Sequence, residues 1–334
     1  MIFSIGKVLA IDLGSDSTLI YKDKNKGIIQ GSSQVAIDIK NGEYIAIGDK
    51  ALEMYGKSPE NIAVINPIQD GTISDFDTTK ILLKYYIEKA SGGFSIVQPK
   101  VVINAPSGIN DIELRAIEDA SIYAGAREVY ILESSLAAAI GAGFDVSKSE
   151  GRIIVNIGAG NTEIAIISMN GIVLSKNLKF GGAQLDQRIA DYIYDKYSLL
   201  IGLNTAKEIK ENLGNVFEST NTSYEVSGRD LLSGMPVNLD INDQDVLFAI
   251  KGDINQIINE IRMQIEKNPP ELARDILKNG IFLTGGLSQL KGLDKLIEKE
   301  IGIKVIRSEN PLTDVVNGLK IVADNLKEYI NIRK

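Results

Sequence analysis

Apolar residues in the first half of the chain follow two spacings in turn. In "KVLAIDLGSDSTLIY" they flank a short Gly- and Ser-containing break, which predicts a strand, a turn and a strand. "SSQVAIDIKNGEYIAIG" predicts two more strands around Asn41-Gly42, a dipeptide suited to a tight hairpin turn. The spacing then changes to helical in "DFDTTKILLKYYIEKA". "PKVVINAP" reads as a buried strand and "NDIELRAIEDASIYAGA" as an amphipathic helix with Asn110 as its N-cap. "EVYILESS" and "LAAAIGAG" give a further strand and helix, and this alternation predicts an α/β sheet covered by helices.

The opening pattern then returns. Aligning "IDLGSDSTL" with "VNIGAGNTE" places Asp12 on Asn156, Gly14 on Gly158 and Thr18 on Thr162, at a constant offset. This is read as an internal duplication, each half opening with a glycine hairpin whose backbone N–H groups can wrap a phosphate. A cleft between two such halves is where a ligand lies. A turn of this kind that also holds a metal usually carries a carboxylate at its mouth; the first copy has Asp12, the second the amide Asn156.

Further along, "TAKEIKENLG" predicts a helix with Thr205 and Glu208 as a capping box and Gly214 as its stop. A mostly helical stretch follows, interrupted at Pro269-Pro270. "GIFLTGGLSQLKGLDKLI" predicts a buried strand, a double-glycine turn and a helix whose N-terminus suits anion or base contact. "NGLKIVADNLKEYINIRK" predicts an amphipathic helix running into a basic tail.

Composition narrows the chemistry. At 334 residues the chain has room for about two domains. A formal charge of −8 argues against a generic nucleic-acid binder. The sequence has no cysteine and no histidine, so disulfides, thiolate chemistry and the commonest general base are all excluded. Catalysis would have to use carboxylates, lysine, hydroxyls or bound magnesium. No stretch approaches the ~18–20 apolar residues that span a bilayer, and a cytosolic location is expected.

Together "IDLGSDSTL", "DGTISDFD", "APSGINDIELRAIEDASIYAGAREVY", "AAAIGAG", "IGAGNTEIAIIS", "TAKEIK", "SGRDLLSGMP", "PPELARDI", "GIFLTGGLSQLKGLD" and "NPLTDVVNG" make the chain resemble the MreB family of bacterial actins along nearly its whole length. Sugar kinases, heat-shock chaperones and actins share the two phosphate hairpins; the "APSG" helix and "GRDLLSGMP" belong to the MreB branch. The resemblance implies an actin-like, ribonuclease H-like duplicated two-domain α/β fold with ATP or ADP and Mg2+ in the cleft. It places domain I at about 1–145 plus a C-terminal helix at about 315–334, with an insertion at about 33–70; domain II falls at about 146–314, with an insertion at about 182–243. The implied nucleotide residues are Asp12, Gly14, Ser15, Ser17 and Thr18 on the first hairpin and Gly158, Ala159, Gly160, Asn161 and Thr162 on the second. Lys207, Glu208 and Lys210, with Gly285, Gly286 and Leu287, would take the adenosine. Asp12 and Asn156 would hold the metal through its waters. Family members form double antiparallel filaments along membranes, serving cell shape or movement.

Three departures from the family bear on chemistry. Asn156 stands where a carboxylate is usual; at ~5 Å and an effective dielectric of 20 this removes roughly 3 kcal/mol of attraction for a cation. Ser134 replaces the glutamate that helps position the attacking water, and Asn161 replaces the threonine that partners it. Loss of such groups typically costs ~10²–10⁴ in rate, so slow ATP hydrolysis is expected. Two carboxylates could substitute: Glu133, expected to face the other way along the strand, and Asp70, the better placed.

Other expectations concern surfaces. Phe94 in "ASGGFSIVQP" is a candidate contact for the inner membrane surface, with Met1, Ile2 and Phe3 and the terminal Arg333 and Lys334 as lesser ones. The chain itself, as a homopolymer, and paralogous actins are the expected partners. The rival readings are a small-molecule kinase, which would need an aspartate base and a substrate pocket, and a chaperone-like ATP-regulated module, which would carry a substrate domain.

Overall fold

In the computed structural model, residues 7–22, 27–92 and 97–329 are described. Two five-stranded sheets with one topology form the framework. In the first, Val8–Leu13 pairs antiparallel with Ser17–Tyr21, which pairs with Ile28–Ser32; on its other side lie Lys100–Ala105 and then Glu128–Glu133, both parallel. The second repeats this order with Arg152–Ile157 at the centre, Thr162–Ser168 and Gly171–Leu178 on one side, and Ile281–Thr284 and Val305–Arg307 on the other. Even the turns match: Gly14 N–H donates to Ser17 O at 3.1 Å and Gly158 N–H to Asn161 O at 2.9 Å.

Alternation along the strands sets the layers. Leu9 and Ile11 point to an outer core under the helices Phe76–Ser91 and Asp111–Tyr123. Ile153, Val155 and Ile157 do the same under Gly182–Tyr197, Leu203–Leu213 and Asp243–Glu266. Ala10 and Ile154 face inward, where both sheets pack on two shared helices, Ser134–Gly141 and Asp314–Asp324. These two helices cross backbone to backbone. A Cβ on Gly141 would lie 1.9 Å from Asp314 O, and one on Gly318 would lie 1.8 Å from Ala137 O. The "AAAIGAG" run is small because this crossing leaves no room for side chains.

Two three-stranded sheets are added to this frame. One comprises Val35–Asp38, Tyr44–Ile47 and Ile62–Ile65, its first two strands joined through Asn41-Gly42 with Gly42 at φ 73°. The other comprises Leu199–Leu200, Ser223–Asp230 and Pro236–Asn242. Asn110 caps its helix as expected: its side chain accepts from the Ile112 and Glu113 N–H groups, and the Glu113 side chain accepts from Asn110 N–H.

Three local expectations are corrected. The "TAKEIK" helix begins at Leu203 with Gly202 as its cap, so Thr205 lies inside the first turn and forms no capping box with Glu208. After the double glycine comes a short 3-10 turn, Gly286–Gln289, and the α-helix starts only at Leu293, so no long helix N-terminus opens at Gly285-Gly286. The helix Asp314–Asp324 breaks at Asn325, which leaves helical geometry at φ −122°, and a separate four-residue helix, Leu326–Tyr329, follows. Among the described residues, no helix is long and apolar enough to cross a membrane.

Candidate nucleotide site

The duplicated hairpins meet tip to tip. A Cβ on Gly160 would fall 2.4 Å from Ser15 Oγ, so glycine is needed for the two tips to approach this closely. The Asp70-Gly71 turn closes on the same point. Asp70 is left-handed at φ 52°, Gly71 N–H donates to Ser15 Oγ at 3.4 Å, and a Cβ on Gly71 would strike the Asn161 side chain at 2.7 Å. Gln184 Nε2, from the helix behind the second hairpin, donates to Asp70 Oδ1 at 3.3 Å.

Two adjoining cavities lie beside these tips. The smaller, about 160 Å³, is lined by Asp12, by Gly14–Ser17 and Gly158–Asn161, and by Asn156, Gly285 and Gly286, with Asn104, Ser134 and Glu163 also on its wall. It shares Asp16, Ser17, Ala159, Gly286 and Leu312 with a larger cavity of about 500 Å³, within the usual range for a small-molecule site. The larger one also takes Lys207, Lys210, Glu211 and Leu287. Lys210 forms a buried pair with Asp186 at 2.7 Å and donates to Gly182 O at 2.7 Å. Lys207 reaches across the mouth to Asp16, at 3.1 and 3.3 Å.

Most of the residues expected from the sequence therefore line one continuous space, but not all. Thr18 and Thr162 are fully buried behind their hairpins, where Thr18 Oγ1 bonds Ser33 Oγ at 2.9 Å and Thr162 Oγ1 donates to Phe180 O at 2.8 Å. They fasten the turns and do not line either cavity. Glu208 is exposed on its helix and outside the lining; Glu211, one turn further, is in it. Asp70 stands at the rim, with its neighbour Gly71 in the wall. Glu133 lines a separate small cavity with Pro106 and Ile172. Phe94, Met1, Ile2, Phe3, Arg333 and Lys334 lie outside the described residues.

The floor of the smaller cavity is acidic. Ser134 is buried, donates to Ala105 O at 3.1 Å and accepts from Asn104 Nδ2 at 3.3 Å, while Asn104 Oδ1 accepts the Leu13 N–H at 2.7 Å. Beside it is Glu163, unremarked in the sequence, whose Oε2 accepts from Ser107 N at 2.9 Å, Ser107 Oγ at 2.9 Å and Ser135 Oγ at 3.0 Å. Burial raises the Glu163 carboxyl and these donors oppose the rise. Asp12 is pushed up to about 7 by burial and by the Glu163 charge. A carboxylate pair so placed favours a bound cation. Asp12 and Asn156 bring two side chains with oxygen donors to this wall, a set that fits a hard ion keeping part of its water shell.

Paired sheets around two shared helices, with a cleft at two glycine hairpins, define an actin-like fold. The chain belongs to the MreB/Mbl protein family, whose model matches residues 6–331. It is 37% identical over 320 residues to the cell shape-determining protein Mbl of Bacillus subtilis, covering 95% of this chain and 96% of that one. It is 40% identical over 317 residues to the cell shape-determining protein MreB of Escherichia coli, covering 93% and 91%. Among solved structures, MreB5 of Spiroplasma citri bound to AMPPNP superposes with a TM-score of 0.92 at 29% identity, over 98% of this chain and 99% of that chain. A match of this length does not favour the kinase or chaperone-module readings.

Proposed function

We propose that this chain is a filament-forming bacterial actin that binds ATP and ADP with magnesium, assembles with itself into antiparallel double filaments and hydrolyses ATP slowly, in the service of cell shape or motility. The observation that carries the reading is the smaller cavity: two phosphate-type hairpins converge on it, yet the wall offers Ser134 and Asn161 where a water-handling pair is expected. Support for nucleotide binding comes from MreB5, solved with AMPPNP and with ADP. Support for the cellular role comes from the cell shape-determining relatives, and MamK, a protein of the same fold, has been solved as a double helical filament. The Gly14–Ser17 and Gly158–Asn161 backbones would hold the phosphates and the larger cavity the adenosine, near Lys207 and Lys210. Magnesium, held through water by Asp12 and Asn156, would neutralise phosphate charge. Association with paralogous actins and with the inner membrane surface, where the polymer would bind by avidity, belongs to the same proposal.

Nucleotide-dependent sedimentation tests it. Purified protein is expected to pellet with magnesium and either ATP or AMPPNP and to stay in the supernatant without nucleotide. Equal pelleting in all three conditions, or none in any, would refute a nucleotide-gated polymer.

A further inference from the structure

The smaller cavity retains one buried carboxylate besides the metal-side Asp12. Glu163 projects from the strand Thr162–Ser168, across from Asn156 in the register. Three donors from the other half of the molecule converge on a single oxygen, Oε2: the Ser107 N–H and hydroxyl and the Ser135 hydroxyl. With Oε2 saturated, the side chain has a fixed rotamer. Oε1 has a long contact with Asn161 Nδ2, at 3.5 Å, and that amide is held in turn by Asn177 Oδ1 at 2.9 Å. The Ser134 hydroxyl also lies beside the carboxylate. Glu163 and Ser134 thus share one wall, so a carboxylate is present close to the place where Ser134 withholds one.

Resting on the nucleotide reading above, we propose that Glu163 Oε1, with the Asn161 amide beside it, holds and orients the water that attacks the γ-phosphate in this chain. The water oxygen forms a bond to the γ-phosphorus as the bond from phosphorus to the β,γ-bridging oxygen breaks, and that electron pair leaves on ADP. One water proton passes to a γ-phosphate oxygen and the other stays on the incoming oxygen; the resulting dihydrogen phosphate loses a proton to solvent. Glu163 contributes an acceptor at fixed geometry and gains no net proton. An acceptor with one oxygen already committed to three donors, and without the Ser134-side glutamate, sustains a slow reaction.

The test is a double cycle. Phosphate release, affinity for a fluorescent ATP analogue and thermal stability are measured for the wild type and Glu163→Gln. The same pair is then made in the Ser134→Glu/Asn161→Thr background, where the restored residues take over the water. Glu163→Gln should lower release roughly tenfold or more in the wild type and less than about threefold in that background, with any change in nucleotide affinity the same in both. A fall by the same factor in both backgrounds would assign Glu163 a purely structural role and overturn the proposal, as would unchanged release. If Glu163→Gln does not fold, Glu163→Asp keeps the charge but draws it back by one methylene; wild-type release from that variant would also overturn it. Failure of the wild type to bind the analogue would instead refute the nucleotide reading itself, and this proposal with it.

Discussion

Replacing Gly318 by alanine adds one methyl group where the two shared helices cross. Its carbon would sit 1.8 Å from the Ala137 carbonyl oxygen, and reaching even 3.0 Å requires the backbones to part by about 1.2 Å. Both sides of the contact are helix backbone, so no flexible side chain can yield. A radial gap of about 1 Å already forfeits a quarter to a half of the dispersion between facing atoms. The affected layer includes Leu136, Ile140, Val315 and Leu319, packed against both sheets. Overpacking typically costs about 1–3 kcal/mol, and more when backbone must move. Against this stands a helix-propensity gain of about 1 kcal/mol from removing a glycine. The net expectation is a loss of about 2 kcal/mol, or a melting temperature lower by roughly 4–8 °C. Nucleotide affinity should fall as well, because the hairpins ride on the sheets that this crossing spaces. The assays are thermal unfolding and titration with a fluorescent nucleotide. A Gly318→Ala protein at least as stable as the wild type would refute the backbone-to-backbone crossing.

Two further outcomes are expected. Gly252, exposed in the helix Asp243–Glu266 with nothing within 4 Å of an added Cβ, is the control for that substitution: Gly252→Ala should stabilise by about 0.5–1 kcal/mol. Asp12 binds its proton more tightly in the folded state, up to about 7 from 3.8, so without divalent cation the stability it contributes declines as pH rises from about 4 to 7. Asp12→Asn should therefore stabilise the nucleotide-free protein at pH 7.5 by at most about 4 kcal/mol, have no such effect near pH 4, and weaken magnesium-dependent nucleotide binding; equal stability at pH 7.5 in urea titrations would contradict this.

Local signals were legible and long-range ones were not. The two hairpins could be read because glycine turns between alternating apolar residues are encoded within about ten positions. The partners of their threonines were hidden for the same reason: repetition singled out Thr18 and Thr162, but only the fold shows that their hydroxyls bond Ser33 and Phe180. The Thr205–Glu208 pattern fitted a capping box, yet the helix starts at Leu203, after Gly202, and runs over the signal. Asp16–Lys207 joins residues 191 positions apart, beyond any spacing rule. Glu163 did leave a trace: a single charge inside the otherwise uncharged buried strand "TEIAIIS" implies dedicated partners. The partners themselves, Ser107 and Ser135, come from two other segments. Small residues in "AAAIGAG" were equally visible, but their cause sits across the molecule at Gly318.

The most direct measurement is phosphate release from ATP and magnesium by the wild type and by Ser134→Glu/Asn161→Thr, at matched polymer concentration. The expected result is slow release by the wild type and a rise of about ten- to a hundredfold in the variant, since a restored water-handling pair returns part of a ~10²–10⁴ contribution. Release by the wild type as fast as by the variant would contradict a site that holds nucleotide while handling water poorly.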